Sequence, residues 1–205
     1  PRNGGKDQKM GNVLEVIGTV NEELKFSHVV VGNVFYKTVV SCERDSNVPD
    51  LIPVVVPSYM KESIQSGDVV YVHGSFRSFN DKQNSKVRLY IFADEIRHVV
   101  TGVKSINNIW LSGYVCKQPV FRLTPKGTKI CDVMLAVPRS CGQSDYVPLI
   151  MWNCNAEKAR NLRVGEEIKL DGRIQSRNYQ KKINGAEIRM TAYEVSVDQF
   201  ESMEE

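Results

Sequence analysis

Hydrophobic and polar positions alternate with a period of two over most of the chain, the spacing of a strand with one buried face. In 67–80, "GDVVYVHGSFRSFN", Val70 and Val72 fall on one side and Tyr71 and His73 on the other. Apolar, β-branched runs of the same kind stand at 12–20, 34–42, 51–57 and 87–96. They return at 108–115, 129–137, 146–152, 165–176 and 186–195. Two stretches break the period. "SYMKESIQ" (58–65) and "NAEKARNL" (155–162) predict one short helix each, the second with Gly165 as its C-cap.

These pieces recur in the same order. "GEEIKLDGRIQSRNY" (165–179) repeats 67–80 as glycine, acid, alternating strand, glycine and a polar end. "IPVVV" and "VPLIM" carry Pro53 and Pro148 at the same place, which suits an exposed strand end. Gly18 and Gly113 interrupt the first strand of each half, and Gly74 and Gly172 follow the fourth. Glycine there marks a bulge or a sharp bend. Five strands, a helix between the third and fourth, and glycine bends describe a small Greek-key barrel, the OB-fold. The expected fold class is all-β, with two tandem five-stranded OB-fold barrels. The expected boundaries are a flexible leader at 1–9, a first barrel at 10–99, a linker at 100–106, a second barrel at 107–200 and an acidic end at 201–205.

A length of 205 residues suits two small domains. No apolar run approaches the ~20 residues that span a bilayer. The opening "PRNGGKDQK" has no signal-peptide pattern. The expectation is no membrane partner and a cytoplasmic location. The five cysteines are scattered, without CxxC or Cys/His metal-ligand spacing, and read as reduced thiols with Cys131 in a strand core. No Walker loop, HExxH, GxSxG or GxGxxG is present. His28, His73 and His98 lack a matched nucleophile, and Glu166–Glu167 reads as a solvated turn. The chain is therefore expected to be no enzyme, with no catalytic residue, metal or cofactor. The net charge of +3 is uneven: +1 over 1–104 and +5 over 105–200. A basic second half is compatible with a polyanion partner.

Within the second half, "NNIWLSGYV", "PVFRLTPKGTKICDVMLAV", "GEEIKLDGRIQSRNY" and "EIRMTAYEVSVDQF" follow one another in order. From Asn108 to about Phe200 this half resembles bacterial single-stranded DNA-binding proteins, in which the Arg and Thr-Pro-x-Gly-Thr stretch makes a hairpin. The first half resembles them more weakly, through "GDVVYVHGSFRS" and "VRLYIFADEI". The resemblance implies aromatic residues that stack on bases. Tyr146 matches one such position, Trp152 a second and Tyr179 a third. A fourth falls near Arg139–Ser140, where this chain has no ring. Basic residues near these rings are the implied phosphate contacts: Arg122, Lys126, Lys129, Arg139, Arg173, Arg177, Lys181 and Lys182, with Arg122, Arg173 and Arg177 foremost. Leu149 and Met151 share one parity of their strand, which turns Trp152 to the other. Trp110 is expected in the core.

The first half departs from the pattern, with Leu51 and Pro57 at its third-strand positions and Phe79 near, but not on, the hairpin position. Tyr36, Tyr71, Phe76, Tyr90 and Phe92 divide between core and groove. The second barrel is thus expected to be the one that holds the strand. The implied function is non-enzymatic, sequence-independent binding of single-stranded DNA, coating and protecting it in replication, repair or recombination. The family works as four barrels, so two per chain imply a homodimer. Replication and repair proteins are further implied partners. The competing readings are an OB-fold adaptor of replication restart or recombination acting through protein contacts, and an accessory domain of an RNA-handling enzyme.

Overall fold

The computed structural model describes residues 11–44, 48–81, 86–100, 102–183 and 186–203. The expected leader at 1–9 and the last two acids of the C-terminal end lie outside the described residues. The first half contains β1 (Asn12–Val20), β2 (Lys25–Val30), β3 (Asn33–Cys42), β4 (Asp50–Pro57), β5 (Val69–Asp81) and β6 (Lys86–His98). The second contains β7 (Ile106–Val115), β8 (Val120–Leu123), β9 (Lys129–Pro138), β10 (Ser144–Trp152), α1 (Asn153–Ala159), β11 (Glu167–Ile183) and β12 (Ala186–Ser202).

Three differences from the expected elements have physical causes. Strands β2 and β8 are short edge strands, and every residue of "KFSHVV" is at least partly open to solvent, so no alternation announces β2. The helix expected at 58–65 is a short 3₁₀ helix, Ser58–Ser63. Helix α1 ends at Ala159, so Gly165 does not cap it. Gly165 (φ 92°) instead turns the chain into β11, and its N–H donates to Val115 O at 2.8 Å. Gly67 makes the same bond to Val20 O.

The strands of each half close on themselves. β1 pairs with β3 and β5, β3 with β4, and β5 with β6. A short parallel contact, Val54↔Ile91 and Val55↔Phe92, shuts the ring. The second half repeats this through Leu149↔Val195 and Ile150↔Ser196. Inside lie Leu14, Ile52, Phe76 and Ile91 in one half and Ile109, Leu135, Met151 and Ile174 in the other. Each such side chain contributes roughly 1.5–3 kcal/mol by leaving water. So tight a ring needs glycine where strands cross closely. The register slips at Gly74 and at Gly172, and a Cβ there would strike the carbonyl oxygen of Phe92 or of Ser196.

The two halves join through β1 and β7, antiparallel from Asn12↔Leu111 to Ile17↔Ile106. Leu14 and Ile109 hold the same place in the repeat and pair with each other, so the junction is two-fold symmetric. One sheet therefore runs through all twelve strands. Asn12 exchanges two hydrogen bonds with the backbone of Phe76, and Asn107 does the same with Ile174. Trp110 is not in the core as expected. It is half-buried on the outer side of this junction, opposite Val13 and Asp171. No described helix is long and apolar enough to cross a membrane.

Candidate nucleic-acid interface

Strand parity sorts the second half into two faces. In β10, Val147, Leu149 and Met151 are buried inside the ring, while Tyr146, Pro148, Ile150 and Trp152 point outward. Ile150 is buried as well, on the outer side, because β9 and β12 flank it. The outward face continues across its neighbours in register. Arg122, Ile130 and Trp152 form one row across β8, β9 and β10. Asp132, Ile150, Ser196 and Arg173 form the next, across β9, β10, β12 and β11. Beyond the ring, Gln175, Arg177 and Tyr179 follow along the β11–β12 hairpin.

The three expected rings thus share one face. Tyr146 is 45% exposed and Tyr179 36%. Trp152 is half-buried, and its indole N–H donates to Ser196 Oγ at 3.3 Å. The Tyr179 hydroxyl lies 3.7 Å from the Met190 sulfur. Tyr179 stands six residues along β11 from Arg173, about 20 Å at the rise of a strand. The surface is therefore an extended track rather than a pocket.

The expected cations fare differently. Lys126 is exposed on the Thr124–Gly127 turn, which Gly127 N–H closes onto Thr124 O at 2.8 Å. Arg122 lies on the face but is held by Asp132 at 2.7 Å, and Arg177 lies 3.9 Å from Glu194. Lys129 is turned away from the rings. It shares the parity of Cys131 and bonds Glu157 of α1 at 2.7 Å. Together with Arg160, it lowers the Glu157 pKa. The side chains of Lys181 and Lys182 lie outside the described residues.

Arg139 and Arg173 belong to a different construction. Asp145, fully buried, accepts from Arg139, from Arg77 at 3.4 Å, and from the Ser78 N–H at 2.7 Å. Asp50, equally buried, accepts from Arg44, from Arg173 at 3.4 Å, and from the Ser176 N–H at 2.6 Å. Each carboxylate stands at the start of a third strand and grips the root of the other half's long hairpin. The hydrogen bond to Asp145 raises the Arg139 pKa, and that to Asp50 raises the Arg44 pKa. Both aspartates escaped the sequence reading. Their signal is an acid just before Leu51 and just before Tyr146, at equivalent places in the repeat.

The model of the single-strand binding protein family matches residues 106–203. Single-stranded DNA-binding protein 1 of Lactococcus lactis is 32% identical over 106 residues, 48% of this chain and 69% of that protein. The chain belongs to the single-strand binding protein family. Within that family, single-stranded DNA-binding protein 2 of Listeria innocua is 35% identical over 82 residues, 37% of this chain. Only 52% of that protein is spanned, and 59% of single-stranded DNA-binding protein A of Bacillus subtilis. Crystal structures of the single-stranded DNA-binding protein from Thermus aquaticus, a deletion mutant and the wild type, share the fold at TM-scores of 0.77 and 0.75 and 19% identity. Each comparison covers 95% of this chain, with 95% and 93% of the Thermus chains.

The rings of the first half also find their places. Phe76 is core. Tyr36 packs against the core with Lys61 over its ring at 4.6 Å. Tyr71 faces the β1–β7 side, where Arg97 covers it at 4.4 Å and its hydroxyl donates to Glu15 at 3.1 Å. Tyr90 and Phe92 point outward, on the face equivalent to that of Trp152.

Proposed function

We propose that the chain binds single-stranded DNA without sequence preference and without catalysis, each closed ring acting as an OB-fold. The observation that supports this best is the shared outward face of Tyr146, Trp152 and Tyr179. Base–aromatic stacking contributes roughly 1–3 kcal/mol per base and tolerates any sequence. On this reading Arg122, Lys126 and Arg177 meet phosphates, with Lys181 and Lys182 continuing the track along the hairpin. Asp132 and Glu194 keep Arg122 and Arg177 oriented until a phosphate replaces them. Lys129 sits at the edge of the site, while Arg139 and Arg173 hold the halves together beneath it.

On this reading the chain coats single strands during replication, repair or recombination in the bacterial cytoplasm, with replication and repair proteins as partners, and its likeness to single-stranded DNA-binding proteins of Listeria innocua and Bacillus subtilis supports it. A homodimer of two-ring chains would present four rings, and light scattering should report about twice the chain mass. An adaptor reading draws on one observation, the apolar end of β2, where Phe26, Val29, Val30 and Val31 are all exposed. The deciding experiment is a salt titration with oligo-dT, duplex DNA and RNA. Oligo-dT should bind far more tightly than duplex, with a log–log slope of roughly −0.7 per contacted phosphate. Equal affinity for duplex and single strand would reject the reading in favour of the adaptor.

A further inference from the structure

The twelve-stranded sheet has two ends, β2 and β8. A sheet end offers unpaired backbone N–H and C=O groups to any strand that comes beside it. The chain guards β8. That strand is four residues long, its Arg122 is tied to Asp132 at 2.7 Å, and Arg160, at the end of α1, covers Phe121 at 4.9 Å. β2 has six residues, no proline and one charged residue, Lys25, which Glu22 holds at 3.0 Å. Its apolar side chains lie open: Phe26 is 60% exposed, Val29 54% and Val30 50%. Just past the strand, Val31 is 94% exposed and holds φ at 47°, a left-handed conformation that a β-branched residue adopts only at a cost. β4 pairs with β3 only as far as Phe35↔Pro57, so the end of the β2–β3 hairpin projects beyond it.

Register with β3 shows which way each residue of β2 faces. Lys25 lies opposite Lys37 and Val30 opposite Asn33, on the outward side. Phe26 lies opposite Tyr36 and Val29 opposite Val34, on the side of the ring interior. The register slips between Phe26 and His28, so a bulge occupies the middle of the strand. Read from either end, the order is the same: outward, inward, bulge. A strand of that pattern matches an identical strand turned end for end. With a two-fold axis between Ser27 and His28, Phe26 falls beside the second copy's Val29 and Lys25 beside its Val30. An aromatic then meets a β-branched residue, and a lysine stem meets a valine. The two Lys25 side chains stand about 16 Å apart along the strand, so no like charges meet.

We propose that β2 is a contact between copies of the chain: two β2 edges pair antiparallel about a two-fold axis and join two twelve-stranded sheets into one. Such a contact is isologous, the same residues serving on both sides. It adds to the four-ring homodimer proposed above and requires no nucleic acid. The self-matching order of outward and inward positions favours a second copy over the foreign protein of the adaptor reading, whose strand would have no reason to share that symmetry. The contact is small, six residues a side against the roughly 20–30 of a standard interface. Association through it is therefore weak and grows with concentration.

The test reads charge and register. Sedimentation of the native chain without DNA should shift to larger species as concentration rises. Val30→Lys sets a lysine beside the second copy's Lys25, twice per contact, and should raise the concentration of half-association about tenfold or more. Val30→Glu sets a carboxylate there, with Lys37 next to that Lys25, and should leave the concentration level or lower it. Circular dichroism should match the native protein in both. The register is checked with cysteines in a Cys141→Ser, Cys154→Ser background, which removes the exposed native thiols. Ser27→Cys lies at the axis and should form disulfide-linked pairs under mild oxidation. Val31→Cys, at a more exposed position but about 23 Å from its mate in this pairing, should stay reduced. A native mass that does not change with concentration overturns the proposal. Equal losses from Val30→Lys and Val30→Glu overturn it too, as does faster cross-linking of Val31→Cys than of Ser27→Cys.

Discussion

Ser78 Oγ, at the root of the first half's hairpin, accepts the backbone N–H of Tyr146 in the second half at 2.8 Å. The reciprocal bond runs from the Leu51 N–H to Ser176 Oγ at 3.3 Å. Each half therefore sets the third strand of the other. The position of the Tyr146 ring depends on residues nearly seventy places earlier in the chain, and neither half is a self-sufficient site.

Asp145→Ala should destabilise the protein by about 3–5 kcal/mol, because it leaves Arg139 and Arg77 half-buried with no carboxylate between them. Asp50→Ala should cost a similar amount through Arg44 and Arg173. Urea unfolding midpoints check both, and a loss under 1 kcal/mol would show that the clamps are dispensable.

Trp152→Ala and Tyr179→Ala should each weaken oligo-dT binding by roughly 1–3 kcal/mol with folding intact. Fluorescence anisotropy of a labelled oligonucleotide measures the loss. Tryptophan quenching should fall with Trp152→Ala but not vanish, since Trp110 remains half-exposed on the junction.

Gly172→Ala should cost on the order of 1–3 kcal/mol, the usual penalty for forcing atoms into filled space. The new methyl meets the Ser196 carbonyl, which the β11–β12 ladder holds in place. The same change at Gly165 tests another mechanism, a φ of 92° in open surroundings. Thermal unfolding of both variants separates collision from backbone strain: clearly lower melting at 172 is expected even though φ there is not positive.

Burial pushes the Cys42 thiol up to about 12, with Asp50 adding to the rise. A raised folded-state pKa contributes stability in full below the unfolded value of 9.0 and loses it as pH climbs toward 12. Unfolding free energy should therefore decline over that alkaline window, and less so in Cys42→Ala. At pH 8, exposed Cys141 and Cys154 should react with a thiol reagent while Cys42 and Cys131 stay silent until denaturation.

Apolar, largely alternating runs marked ten of the twelve described strands, because each has one face in a ring core. β2 and β8 were illegible for the opposite reason: edge strands with little burial have no reason to alternate. Trp152 was legible as an outward residue through the parity of Leu149 and Met151, Tyr179 through the polar run around it, and Tyr146 through the family resemblance alone. Arg139 and Arg173 were not legible as clamp residues, since a phosphate-seeking arginine and a carboxylate-bound one look alike until Asp145 and Asp50 are brought to them across the junction. The contacts of His28 with Phe35 and of Phe35 with Phe92 were not legible either, because they join β2, β3 and β6, which only the closed ring brings together.

The pairing of Leu14 with Ile109 has a consequence for direction. A two-fold axis sends equivalent tracks opposite ways, whereas a nucleic-acid strand has a 5′ end and a 3′ end. One strand lying over both faces must either double back between them or meet the second face with its sugars reversed. Identical faces would demand the first. Faces as unlike as Lys37 with Tyr90 and Asp132 with Glu194 are free of that demand, because a chain that carries both halves can differ between them.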